Sequence, residues 1–319
     1  MIVAVALLGY ALLLGTVGAR ALNRADWVDR APRLGIALWQ ALSASLLLAI
    51  VLGGTALTIP TLQLGPSLAE LLQACAAAIL AQYATPGGAV VGAAGGVLAL
   101  GTLGRAVYCL SRELLVASRQ RRRHLDTLAL IGRRVPELDA LIVDHDTAAA
   151  YCLPGRGRQI VLTSAALAAL TTDQLHAVLA HERAHLHGRH HLLLAGANGL
   201  RRAFPFVGCF DHARENVTRL VEMLADDQAS RRCHRLTTAA ALVVLAGSAA
   251  PAPALPAAGP TALARVQRLT APAEPLGPLP RTIAGVLIVA AFIVPIAVSV
   301  APALAAAGAA YCPIGFAPS

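Results

Sequence analysis

His181 and His185 stand four residues apart with Glu182 beside the first, in the run His181-Glu182-Arg183-Ala184-His185. On a helix, side chains four apart lie nearly one above the other, so the two imidazoles face a single point. That arrangement suits a divalent zinc ion, and Glu182 on the adjacent flank can take a proton from a water held there. Chance would produce this pattern about 0.007 times in a chain of this composition. Catalytic zinc takes three protein groups and leaves one position for water, so a third ligand is required. Glu222 and Asp226, again four apart, occur in Glu222-Met223-Leu224-Ala225-Asp226-Asp227. Glu222 is the natural third ligand. Asp226 can accept the free N–H of a liganding histidine and fix its tautomer. Alone, the stretch also reads as a solvated acidic helix face. Beside the histidine motif it completes a site for one zinc ion per chain.

These side chains need elements to hold them. Thr172 is a plausible N-cap for a helix running through Gln174, Ala177 and Val178 to His187. Ahead of it, 141–143 reads as a short strand, and 151–153 with 159–162 as a hairpin around Pro154-Gly155. Thr163 or Ser164 starts a short helix over 165–170, and 125–131 is helical. A strand next to the motif helix makes chemical sense, because an extended peptide added to an open edge has its carbonyl delivered by backbone hydrogen bonds. Residues 236–250 read as a buried helix followed by a loop containing Pro251, Pro253 and Pro256. If the motif helix continues, His187, His190 and His191 all point away from the metal, and the last two are capping or membrane-interface groups. His234, Arg231 and Arg232 are weak candidates for holding an oxyanion.

The surroundings are those of a membrane protein. The chain has 319 residues, 57% hydrophobic and only 13% charged, with a mean hydropathy of +0.65, too apolar for an ordinary soluble domain. Residues 2–19, 34–57, 89–110 and 282–307 are each long enough to cross a bilayer. Arg105 lies near the end of the third, where its long side chain can reach the headgroups. Arg20, Arg24, Arg30 and Arg33 follow the first span, and Arg112, Arg119, Arg121, Arg122 and Arg123 follow the third. No basic residue occurs between Thr58 and Gly88 or after residue 307. The positive-inside rule then predicts an N-terminus outside the cell and residues 111–281 in the cytoplasm. Residues 67–82 are an interfacial helix or external cap rather than a fifth span, since Glu70 and Gln73 interrupt them.

The net charge of +9 comes entirely from arginine, as the chain has no lysine. It is explained by the flanks of the spans, and the Arg121–Arg123 run reads as an anionic-lipid contact rather than a nucleic-acid patch. None of the six cysteines forms a CxxC pair. Cys109, Cys152, Cys209 and Cys233 are read as packing residues, while Cys75 and Cys312 both fall outside the cell and could pair.

The run Tyr151-Cys152-Leu153-Pro154-Gly155, then 159–164, then His176-Ala177-Val178-Leu179-Ala180-His181-Glu182 resembles the integral-membrane gluzincin peptidases. Among these it looks most like the BlaR/MecR type, with the HtpX and CAAX-prenyl-protease family a near relative. The resemblance implies zinc on His181, His185 and Glu222, Glu182 as general base and Asp226 in support. It also implies a cytoplasmic protein substrate, in the first place a BlaI/MecI-like transcriptional repressor. Relatives often carry Asp five residues after the second motif histidine, where this chain has His190. Only about a dozen residues follow the last span, and an Ser-x-x-Lys acylation motif is impossible without lysine, so a penicillin-binding sensor is not expected here. The fold class expected is mainly α: a polytopic plasma-membrane protein of about four transmembrane helices. Residues 1–110 carry three spans, 111–281 a cytoplasmic α+β gluzincin-like zinc peptidase domain, and 282–319 the fourth span and a short tail. The expected partners are the protein substrate and the lipid bilayer, with no direct nucleic-acid contact. Three functions remain open: repressor cleavage in signal transduction, HtpX-like quality control of membrane proteins, or a non-catalytic signalling scaffold.

Overall fold

In hydrocarbon every backbone N–H and C=O must find its partner within the chain, so long apolar runs become helices. The computed structural model describes residues 1–59, 84–155, 159–248, 258–272 and 274–310, with single residues at 73, 76, 77 and 80. Among the described residues, four helices are long and apolar enough to cross a membrane: α1 (Ile2–Asn23), α2 (Pro32–Thr58), α3 (Gly88–Ile131) and, reckoned over Pro278–Leu304, the last. A π-helical turn at Leu14–Gly18 interrupts α1. Most of 67–82, both Cys75 and Cys312, the prolines at 251–256 and the final residues 311–319 lie outside the described residues.

Small residues let the spans approach. A Cβ on Gly54 would sit 2.7 Å from the carbonyl oxygen of Gly95, and one on Gly95 would sit 2.6 Å from Leu57 Cβ. Glycine at both positions therefore sets the α2–α3 crossing, and Thr58 Oγ1 donates across it to the Gly92 carbonyl at 3.1 Å.

The third span was expected to end near residue 110, but α3 runs unbroken to Ile131, 44 residues in all. From 111 to 131 the chain has no glycine or proline to stop it, and Gly132 ends it. At 1.5 Å per residue the helix is about 66 Å long, against about 30 Å of bilayer core. Its far end has a structural use. Strands β1 (Arg133–Val135), β2 (Ala140–Val143), β3 (Ala150–Leu153) and β4 (Gln159–Thr163) form one sheet in the order β1-β2-β4-β3. β2 and β4 are parallel; the outer pairs are antiparallel. Alternation along the strands sends Leu141, Leu153 and Val161 onto Leu128 of α3 and Ile142, Ile160 and Leu162 onto the opposite face. The predicted hairpin at 151–153 and 159–162 is present, one residue longer in each strand.

Thr163 caps α4 (Ser164–Ala169) by accepting from Ala166 N–H. The motif helix α5 (Thr172–His187) covers the second sheet face through Val178, Leu179 and Leu186. Its N-cap is Thr171, one residue earlier than expected. Gln174 at the third helical position closes a reciprocal capping box with Thr171. Then follow α6 (His190–Ala203), α7 (Gly208–Ala229), α8 (Arg235–Ser248), α9 (Ala258–Thr270) and α10 (Pro278–Ala310).

Helix α7 lies directly on the second span. Trp39 of α2 is buried with Phe210, Val217, Leu220 and Met223 of α7, and a Cβ on Gly35 would come within 2.9 Å of Leu220. Phe204 joins that core, whereas Phe206 is exposed. Arg105, expected to reach for headgroups, instead donates from Nε to the carbonyl of Ala203 at the end of α6. A helix end leaves such carbonyls unpaired, and the guanidinium supplies the missing donor.

Candidate metal centre

The motif lies on α5 beside the face that packs on the sheet, and α7 crosses it there. His181 Nε2 and His185 Nε2 converge to 3.0 Å. Glu222 reaches up from α7, its two oxygens 3.5 Å from His181 Nε2 and 3.5 Å from His185 Nε2. One ligand atom from each of the three residues lies within 4.8 Å of the others. Ligands of a tetrahedral zinc ion at ordinary bond lengths stand about 3.3 Å apart. The nitrogen–nitrogen separation and the nearest nitrogen–oxygen separations, one to each Glu222 oxygen, lie about that edge, and the donor set of two nitrogens and a carboxylate fits zinc.

Asp226, one turn further along α7, is 1% exposed, and its Oδ1 lies 2.9 Å from His181 Nδ1. Glu182 is buried on the wall of a cavity of about 200 Å³ that it shares with Ala150, Val178, His181, Glu222 and Arg265. Thr238, Ala241, Leu242 and Leu245 of α8 close the same cavity, which gives the described part of the apolar 236–250 stretch its place. The outermost strand, β3, packs on α5 and brings Ala150 to the cavity.

The sequence reading did not find Arg265. Its Nε and Nη2 donate to Asp226 Oδ2 and Oδ1, both at 2.7 Å, and Nη1 lies 3.1 Å from Glu222 Oε2. One turn on, Arg268 forks in the same way onto Asp227 at 2.7 and 2.9 Å. Two consecutive bidentate pairs thus fasten α9 to α7. The signal was present as two arginines three apart, matching two adjacent aspartates, but only folding shows that they meet. His234, Arg231 and Arg232 are exposed, and His234 Nδ1 accepts from Leu236 N–H at the start of α8. The cation in the cavity is Arg265.

Electrostatics follow from these contacts. Burial alone would lower the His181 pKa, but hydrogen bonds to Asp226 and Glu222 carry it up to about 9. Burial drives His185 down to about 4 against the pull of Glu222, and the neighbouring His181 and His190 add to the lowering. Burial also raises Glu182. Against their own burial, Glu222 is held at about 2 by His181 and His185, and Asp226 at about 2 by Arg265 and His181. The Cys152 thiol on β3 is pushed well up by burial and then by the charge of Glu182.

His190 departs from expectation. It was read as a cap or interface group on the far side of a continuing helix. The helix instead breaks at Gly188-Arg189, with Arg189 in the left-handed region at φ 48°. His190 turns back, 1% exposed, with Nδ1 3.0 Å from His185 Nδ1.

A model of peptidase family M48 matches residues 116–216. The match takes in the far end of α3, the sheet and the motif helix, and stops before Glu222 and Asp226. No curated protein and no solved structure matches the chain. The match makes this stretch similar to a family of metallopeptidases, which typically use zinc.

Proposed function

We propose that this chain is a membrane-embedded zinc endopeptidase that cleaves a cytoplasmic protein. The observation that carries the reading is the convergence of His181, His185 and Glu222 within 4.8 Å, with Glu182 on the wall of the adjoining cavity. A zinc ion held by these three would polarise a peptide carbonyl and acidify a water. Glu182 accepts the proton of the attacking water and passes it to the leaving amine nitrogen. Asp226 keeps the hydrogen of His181 on Nδ1, leaving Nε2 free to ligate. Arg265 keeps Glu222 and Asp226 ionised. It also lines the cavity, where a carbonyl oxygen gathering charge would sit. Substrate lies along the outer edge of β3 as an added strand, which selects extended segments over folded ones.

The arginine-rich loop between α1 and α2 supports a cytoplasmic site. Asn216 Nδ2 donates to Asn23 Oδ1 at 2.7 Å, and Arg268 Nε to the Asp29 carbonyl at 2.8 Å. These contacts support loop and site helices lying on one side of the bilayer, the cytoplasmic side by the positive-inside rule. The N-terminus is then outside and the chain crosses four times.

For the substrate, a BlaI/MecI-like repressor is the first candidate, by resemblance. The match to peptidase family M48 does not single out the BlaR/MecR type, so HtpX-like quality control stands as the second. The test compares the proteome of cells carrying the wild type with that of cells carrying Glu182→Ala. One defined product lost with Glu182→Ala supports the signalling role, and many lost products support quality control. Identical proteomes, with equal cleavage of a co-expressed repressor, would remove the enzymatic reading.

A further inference from the structure

We propose that His190 is a positioning residue for the metal centre: its Nδ1 accepts the Nδ1 hydrogen of His185 and thereby aims the His185 Nε2 lone pair at the ion. The inference rests on the assignment of His181, His185 and Glu222 as ligands.

The backbone is arranged to bring this ring back. Had α5 run on, His190 would stand half a turn away from His181. The break at Gly188-Arg189 reverses it, and α6 starts at His190 itself. The two rings meet edge-on, centroids 4.8 Å apart and planes at 84°. Their Nδ1 atoms are 3.0 Å apart, an ordinary hydrogen-bond length. Gly188 is part of the arrangement, since a Cβ there would collide with His190 Nε2 and lie 2.5 Å from its Cδ2. Its φ of −73° is open to any residue, so glycine is required for space and not for conformation.

Tautomer logic gives the bond its direction. A neutral imidazole has one donor and one acceptor nitrogen. If His185 gives Nε2 to a metal, its hydrogen must sit on Nδ1, and His190 can only accept. His190 then carries its own hydrogen on Nε2, a buried atom without a hydrogen-bond partner among the described residues. Packing over Gly188 therefore holds the ring, and no second hydrogen bond competes for its tautomer. The two ligating histidines are consequently supported unequally. His181 has a carboxylate behind it in Asp226, while His185 has a neutral imidazole.

The experiment uses the full chain in detergent, metal-free, titrated with Zn²⁺ against a chelator and with Co²⁺ by absorption. His190→Phe keeps a ring of similar size but cannot accept, His190→Asn keeps an acceptor oxygen near Nδ1, and Gly188→Ala keeps the imidazole but displaces it. His190→Phe and Gly188→Ala should each weaken zinc binding about 10- to 100-fold and alter the Co²⁺ spectrum, while His190→Asn stays near the wild type. Circular dichroism of the metal-free proteins checks the fold. If His190→Phe does not fold, the comparison of Gly188→Ala with His190→Asn decides by the same criteria. Wild-type affinity and spectrum in His190→Phe, or equal loss in His190→Asn, would overturn the proposal while leaving the ligands in place. Failure of the wild type itself to bind one zinc would overturn the ligand assignment with it.

Discussion

Arg265 grips Asp226 at both oxygens, each at 2.7 Å, and one of them, Oδ1, also meets His181 Nδ1 at 2.9 Å. Asp226 is thus a relay between α9 and the motif helix. Its charge can remain buried only because two cationic or hydrogen-bearing groups face it. Arg265→Gln leaves that carboxylate without its main partner, and loss of one member of a buried pair costs about 3–5 kcal/mol. The thermal midpoint of the detergent-solubilised chain should fall by several degrees. Arg265→Lys should recover only part of it, because an ammonium cannot fork onto two oxygens. An unchanged midpoint for Arg265→Gln would show that Asp226 is satisfied by other groups.

Glu182→Gln preserves shape and removes the base. Turnover of a peptide substrate should drop by about 10²- to 10⁴-fold, with zinc content still one per chain by elemental analysis. Glu222→Ala should instead lose the metal together with the activity. If Glu182→Gln were as metal-poor as Glu222→Ala, Glu182 would be acting in binding and not as a proton carrier.

His181, raised to about 9 without metal, is protonated at neutral pH, whereas His185, lowered to about 4, is already neutral. Zinc binding must displace the His181 proton. Affinity should therefore strengthen as pH rises, by up to about tenfold per unit, and level off near pH 9. Calorimetry in buffers of different ionisation enthalpy should report close to one proton released per zinc at pH 7. Zero protons released would mean that Asp226 and Glu222 do not hold His181 charged.

Gly95→Leu should disrupt the α2–α3 crossing, where a Cβ already meets backbone and Leu57 within 3 Å. Overpacking of this kind costs about 1–3 kcal/mol. Gly101→Leu lies on the same helix with nothing within 4 Å of its Cβ position and should be neutral. Thermal unfolding of both variants in one detergent checks the difference.

The histidine motif, the Glu222–Asp226 pair, the four long apolar helices and the β3–β4 hairpin were all legible along the chain, because each is a local pattern. Four-residue spacing places side chains on one helix face, and a long apolar run has only one way to satisfy its backbone in a bilayer. The meeting of the two pairs was a chemical expectation; the crossing of α5 and α7 is what brings them to 3.5 Å. Arg265 lies 39 residues beyond Asp226, and no period links the two. The fate of His190 turned on a single backbone angle at Arg189, which reverses a helix that periodicity alone would have continued. The far end of α3 read as a short separate helix, and only the sheet packed against Leu128 shows why the long helix exists. Local pattern therefore determined which residues could bind a metal. Long-range packing decided which others stand behind them, since an ion pair or a ring contact depends on where helices cross and not on how far apart residues lie in the chain.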